Sequence, residues 1–251
     1  DALRRAGCVA AEEEAALLVA AAPDADALEV LLARRVAGLP LEQVLGWAEF
    51  CGRRIVVEPG VFVPRRRTEF LAQHALDLAR ACRNGGRRPV VLDLCCGTGA
   101  LGAVLAAELG REVAVFASDV EAAAVACARR NLPPDRVFHG DLYQALPSQL
   151  RSRVDVLVAN APYVPTGELG LMPREAREYE PNVALDGGDD GLAVVRRVVD
   201  EAGRWLAPGG SVLVETSHDQ VTAALEAFAR AGLTPRVLSS EELGATIVIG
   251  R

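Results

Sequence analysis

Three short segments of this chain combine residue types that could hold a small ligand and orient a reacting amide. The first is Asp93-Leu94-Cys95-Cys96-Gly97-Thr98-Gly99-Ala100-Leu101-Gly102, which carries glycines in GxGxxG spacing behind an apolar run. Where a strand gives way to a helix, such a loop lets backbone approach a nucleotide-type ligand closely. The second is Asp119, 22 residues after Gly97 at the end of the next apolar run. That is the spacing of a carboxylate that holds ribose hydroxyls. The third is Asn160-Ala161-Pro162-Tyr163, ending a further apolar run. Asn160 offers a side-chain carbonyl and Ala161 a main-chain carbonyl, Pro162 stiffens the turn, and Tyr163 offers a flat face. Two acceptors beside an aromatic ring suit a planar –NH2 group.

Two cofactor classes share the glycine-loop geometry. A dinucleotide sets its pyrophosphate at the helix N-terminus. S-adenosylmethionine has no phosphate and carries a sulfonium and an ammonium. Asp93, four residues before Gly97, attracts an ammonium and repels a pyrophosphate. The loop Cys95, Cys96, Gly97, Thr98 and Gly99, with Asp93 and Asp119, therefore favours S-adenosylmethionine over NAD.

These segments need elements to position them. Residues 1–45 are rich in Ala, Leu and Glu, with helical spacing at Leu28, Leu31, Leu32 and Val36, punctuated by Pro23 and Gly38-Leu39-Pro40. Two or three short helices are predicted there. Residues 48–63 read as extended, with Cys51-Gly52-Arg53 as a hairpin turn. A helix runs to about Cys82. From residue 89 strands at 89–94, 113–117, 137–138, 154–159 and 211–215 alternate with helices at 101–109, 121–131, 192–206 and 220–231. Pro208-Gly209-Gly210 is read as the break before the strand at 211, and strands at 234–238 and 246–249 close the chain. Alternation of this kind predicts an α/β fold with a mostly parallel sheet covered on both faces. In such sheets ligands sit outside the carboxyl ends of strands, so Asn160 to Tyr163 are expected to face the cofactor.

Composition narrows the function classes. The 251 residues are 51% hydrophobic and 24% charged, which excludes a disordered or fibrous chain. The longest apolar run, Ala15 to Ala22, is too short to span a membrane, and no secretory-type leader opens the chain. The net charge of −7 argues against a nucleic acid partner, with Arg65-Arg66-Arg67 and Arg87-Arg88 the only local basic runs raised against that. Six cysteines form no CxxC pair, and His74, His139 and His218 do not cluster with them. No metal site or disulfide framework is expected; reduced thiols in a cytoplasmic protein are. Cys95-Cys96 is read as loop packing, and His139 and His218 as structural.

Asn160-Ala161-Pro162-Tyr163 resembles the [Asn/Asp/Ser]-Pro-Pro-[Tyr/Phe/Trp] motif of amino-group methyltransferases. Further along the chain, Pro40 to Gly46, Ala48-Glu49-Phe50, Val61 to Arg65, Thr68-Glu69, Asp93 to Gly102 and Tyr179 to Gly191 resemble the HemK-like protein-(glutamine-N(5)) methyltransferases. The resemblance covers about residue 28 to the end. It implies a small helical domain (1–47), a hairpin linker (48–75) and a Rossmann-like class I methyltransferase domain (76–251) with a seven-stranded sheet. It implies S-adenosylmethionine as cofactor, with Asp93 near the methionine ammonium, Asp119 on the ribose, and Asp141 and Leu142 near adenine. It implies catalysis by Asn160, Ala161, Pro162 and Tyr163 on an exposed glutamine of a protein partner, such as the Gly-Gly-Gln loop of a peptide-chain release factor.

This chain departs from the family pattern at several places. Ala161 replaces a Pro, and Arg65-Arg66-Arg67-Thr68-Glu69 replaces Arg-Pro-Glu-Thr-Glu. The region before residue 40 is shorter. Gly244-Ala245-Thr246-Ile247 lacks a common Arg, and Glu215 to Gln220 lacks a usual Gly. The rival readings are an adenine amino-group methyltransferase with Tyr163 stacked on a flipped base, an NAD-dependent oxidoreductase, and a catalytically silent S-adenosylmethionine-binding module.

Overall fold

A computed structural model describes residues 1–86 and 88–251; Arg87 of the Arg87-Arg88 pair lies outside the described residues. The N-terminal region holds four helices rather than two or three: α1 (Ala2–Arg5), α2 (Ala11–Ala21), α3 (Ala25–Val36) and α4 (Leu41–Leu45). The extra ones are single turns, too short to leave a periodic signature. Asp24 caps α3 by accepting the Ala27 N–H. Leu3, Leu18 and Val44 form a small core of their own.

Strands β1 (Trp47–Phe50) and β2 (Arg53–Val56) pair antiparallel. The two-residue turn, Cys51-Gly52, has positive φ at both positions, the primed geometry that matches strand twist. The free edge of β2 is covered. Asn131 accepts the Val56 N–H and donates to the Val56 carbonyl, which satisfies backbone that a third strand would otherwise claim.

The main sheet has seven strands: β3 (Val90–Leu94), β4 (Ala114–Asp119), β5 (Val137–His139), β6 (Val154–Ala159), β7 (Leu206–Thr216), β8 (Pro235–Ser240) and β9 (Ala245–Gly250). Their order is β5-β4-β3-β6-β7-β9-β8. The first five strands in that order run parallel, and β9 is antiparallel to both its neighbours. Alternate residues feed two cores. Val91, Val156, Val158, Leu213 and Ile249 face α5 (Glu69–Asn84), α6 (Ala100–Leu109) and α7 (Ala122–Asn131). Leu92, Leu157, Val212, Val214 and Val248 face α9 (Ala193–Ala202) and α10 (Val221–Arg230). A short α8 (Arg174–Tyr179) precedes α9. Burial on both faces is why these strands read as continuous apolar runs.

Two expectations are corrected. The 192–206 helix ends at Ala202, and Pro208-Gly209-Gly210 lies inside β7 rather than before it. Between Val154↔Leu206 and Val156↔Ser211, β7 carries extra residues opposite β6. The Pro-Gly-Gly segment is therefore a bulge that the sheet accommodates, not a terminator.

Candidate active site

Chain reversal around β3, which has β4 on one side and β6 on the other, opens a crevice at the carboxyl ends of the parallel strands. A cavity of about 310 Å3 lies there. Its walls include Cys95, Cys96, Gly97 and Thr98 after β3, Asp119 after β4, Asp141 and Leu142 after β5, and Asn160 and Pro162 after β6. Nine of the residues expected from sequence thus meet in one space. Asp93, Gly99, Ala161 and Tyr163 do not line it.

The loop is held by the carboxylates around it. Asp119 Oδ2 accepts the Gly97 N–H at 2.8 Å and Oδ1 accepts the Glu121 N–H at 2.9 Å. Burial pushes the Asp119 carboxyl above its usual range, against the pull of these N–H groups. Asp93 is fully buried beneath the loop, where Oδ2 accepts the Gly102 N–H at 3.0 Å. A Cβ on Gly102 would sit 3.1 Å from Val115 Cγ1 and 3.3 Å from that carboxylate, tight contacts that its neighbours would have to yield to, so glycine eases the close approach of the helix. Asp93 Oδ1 is buried without a hydrogen-bond partner. Burial pushes the Asp93 carboxyl up to about 7.

Cys95 and Leu142 are non-glycine residues with positive φ, and both line the cavity. Such backbone persists where the surroundings over-determine it. Here the Cys96 N–H donates to the Ser118 carbonyl, and Ser118 Oγ donates to the Leu142 carbonyl. Burial pushes both vicinal thiols, Cys95 and Cys96, upward, away from the thiolate form. His139 lies on β5 with a ring nitrogen 2.9 Å from the Val120 carbonyl.

The residues fit S-adenosylmethionine better than a dinucleotide. The cavity wall carries Asp119, Glu121 and Asp141 against one arginine, Arg197, which itself donates to Asp141 Oδ2 at 2.5 Å. The orphaned Asp93 oxygen is an acceptor in want of a donor. These negative groups attract an ammonium and repel a pyrophosphate.

At the Asn160 turn the four residues divide. Asn160 Nδ2 donates to Thr68 Oγ1 at 3.3 Å, which leaves its carbonyl oxygen as the uncommitted acceptor. Ala161 is buried. Tyr163 OH donates to Glu215 Oε1 at 3.1 Å, and burial pushes its phenol well up, with Glu215 adding to the shift. The Tyr163 carbonyl accepts from Gln220 Nε2 at 2.8 Å. Gly191 packs against that carbonyl so closely that a Cβ would lie 2.3 Å from it. The Tyr179–Gly191 segment thereby braces the turn from behind.

Sequence reasoning assigned no role to several residues that build this site. Thr68 orients Asn160. Asn131 Nδ2 ties the Thr98 carbonyl to the hairpin edge. Buried Glu180 accepts the Val63 N–H and, at 2.5 Å, Arg65 Nη2, which fixes the Val61–Arg65 segment over the cavity. Gln43 Nε2 donates to the Val61 and Tyr179 carbonyls, and Arg35 joins Glu14 to Glu175, so the helical region is bonded to the same segment. Each pair spans long sequence separations and had no local signal. No helix among the described residues is long and apolar enough to cross a membrane, and no metal-holding cluster of His, Cys, Asp and Glu occurs among them.

Known proteins resemble this chain in sequence and in shape. The methyltransferase small domain family matches residues 53–172. A release factor glutamine methyltransferase of Geobacter sulfurreducens is 37% identical over 224 residues, covering 88% of this chain and 75% of that protein. A 4-amino-L-phenylalanine/4-methylamino-L-phenylalanine methyltransferase of Streptomyces pristinaespiralis is 36% identical over 202 residues, covering 79% and 68%. In fold, the chain is similar to a 16S rRNA N2 G1207 methyltransferase of T. thermophilus solved with AdoMet and guanosine (TM-score 0.54, 22% identity, 82% of this chain and 49% of that one). With its glycine loop, its Asn160 turn and this extent of identity, the chain belongs to the release factor glutamine methyltransferase family.

Proposed function

We propose that this protein transfers the methyl group of S-adenosylmethionine to the side-chain amide nitrogen of a glutamine in a protein substrate, a peptide-chain release factor. The observation that carries the reading is the orientation of Asn160. Its –NH2 is committed to Thr68, and its carbonyl oxygen is left at a cavity suited to the cofactor.

An amide nitrogen is a poor nucleophile because its lone pair is delocalised. Asn160 Oδ1 and the Ala161 carbonyl accept its two N–H bonds and aim that lone pair into the cleft. Pro162 limits the turn's freedom. Tyr163, tethered through its hydroxyl to Glu215, limits where the substrate can lie. Positioning of this kind is worth up to about 7–11 kcal/mol. The two acceptor dipoles also stabilise positive charge developing on nitrogen. The methylated amide cation is strongly acidic, so no general base is required. S-adenosylmethionine would be held by Asp119 on its ribose and by Asp141 and Leu142 around its adenine, with Asp93, buried beneath the loop, attracting its ammonium from behind. When bound, S-adenosylmethionine supplies an electrophilic methyl on a sulfonium.

The test has two stages. Calorimetric titration with S-adenosylmethionine, with NADH as control, is expected to show binding of the first alone. Incubation with radiolabelled cofactor, the host's release factors, free amino acids and a tRNA/DNA pool is expected to place label on a Gly-Gly-Gln glutamine. Label on nucleic acid or on free amino acids alone overturns the protein substrate.

A further inference from the structure

A second cavity, of about 470 Å3, lies where the carboxyl end of β7 meets the β8–β9 turn. Arg67, Tyr163, Glu215, Ser239, Glu241 and Thr246 are among its walls. Glu215 is its unusual group. The residue is 2% exposed. Its Oε1 accepts both Tyr163 OH and Arg67 Nε, each at 3.1 Å, whereas Oε2 is buried without a hydrogen-bond partner. An unpaired buried carboxylate oxygen is costly and calls for a donor. Beside it, Arg67 lies over the Tyr163 ring and its two terminal nitrogens make no hydrogen bond among the described residues.

Neighbouring side chains therefore offer a free acceptor and free donors side by side. The chemistry that satisfies both is an N–H or ammonium beside a carbonyl or carboxylate, which is the main-chain face of an amino acid. Tyr163 shares the wall and follows Asn160, which lines the cofactor cleft, by three residues, so one turn contributes to both cavities. The departures from the family pattern at Arg67, at 215–218 and at 244–246 all contribute to this one cavity.

We propose that this cavity is a substrate subsite for the main chain of the glutamine being methylated, with Glu215 Oε2 accepting its N–H and the terminal nitrogens of Arg67 donating to its carbonyl. The subsite rests on the glutamine reading above. Its ligand comes either from a peptide unit or from the ammonium and carboxylate of free glutamine.

The test compares a capped glutamine peptide, the same peptide with the glutamine N–H replaced by an ester oxygen, and free glutamine, using wild type, Glu215→Gln and Arg67→Met. Wild type is expected to prefer amide over ester by about tenfold in kcat/KM, chiefly through KM. In Glu215→Gln the two peptides are expected to agree within about twofold, since the acceptor has gone. Arg67→Met raises KM for both and keeps the amide preference, which covers the case of a Glu215 variant that fails to fold. Cofactor affinity and Tm report folding of each variant. The better of peptide and free glutamine assigns the source. Equal rates on amide and ester in wild type, or an undiminished preference in Glu215→Gln, overturn the subsite. Failure of wild type to methylate any of the three while a release factor is methylated overturns the subsite; failure on the release factor as well overturns the glutamine reading itself.

Discussion

The cofactor cleft and the second cavity share one four-residue turn, yet they are built from different materials. The cleft is walled by loops that follow successive parallel strands, and its central carboxylate, Asp119, is held by the backbone N–H groups of Gly97 and Glu121. The second cavity is walled by side chains from distant segments, and its carboxylate is held by side chains, as Glu215 is by Tyr163 and Arg67. A site held by backbone tolerates sequence change because every residue except proline supplies an N–H. A site held by side chains changes its chemistry with each substitution.

The largest effect that sharpens this contrast is expected at Asn160. Asn160→Ala should lower kcat by about 10²-fold or more, by analogy with removal of one oriented dipole from a reacting centre. Calorimetry should find cofactor affinity little changed, and unchanged turnover would remove Asn160 from the mechanism. Asp119→Ala should instead weaken S-adenosylmethionine by about 10- to 100-fold, the worth of one charge-assisted hydrogen bond. An unaltered Kd would show that the ribose lies elsewhere.

Asp93 gives a pH signature. Its carboxyl is pushed up to about 7 by burial, and only the ionised form attracts an ammonium. Cofactor affinity in wild type should therefore fall as pH drops through 7, and Asp93→Asn should abolish that dependence. Stability has the opposite sign. The folded protein holds this proton between the ordinary carboxylate range and 7, so the contribution of Asp93 is lost as pH rises across that window. Above pH 7 the buried charge costs about 4 kcal/mol at 1.36 kcal/mol per unit. Ligand-free Asp93→Asn should melt higher than wild type at pH 8 while binding cofactor less well; a lower Tm would refute the buried-charge account.

The smallest effect is expected at Thr68. Thr68→Val removes the acceptor that fixes the Asn160 amide and should lower kcat by about fivefold, near 1 kcal/mol. Thr68→Ser should restore it. A loss confined to cofactor affinity would make Thr68 part of the cofactor wall alone.

Much of the cleft was legible in the sequence. The apolar runs at 90–94 and 154–159 and the GxGxxG spacing announce strands whose carboxyl ends carry a ligand, because a doubly covered parallel sheet leaves only that edge open. The position of Tyr163 was not legible. Its spacing from Asn160 suggests a shared face, but its hydroxyl is drawn to Glu215, 52 residues away. Nor was the Pro208-Gly209-Gly210 bulge, since β7 pairs with β6 at Leu206 and again from Ser211, on either side of the breakers along the chain.

Determined by the sequence itself were the strand–helix alternation, the glycine loop, the carboxylates that follow it and the acceptor-bearing turn, all of which depend on contacts within a few residues or on hydrophobic period. Only the tertiary structure decided which way Asn160 presents its carbonyl, which groups share Glu215 and that the 215–218 and 244–246 segments face Arg67. Those outcomes depend on side chains meeting across long chain separations, where partner and geometry are chosen by packing and by the need to pair buried polar atoms.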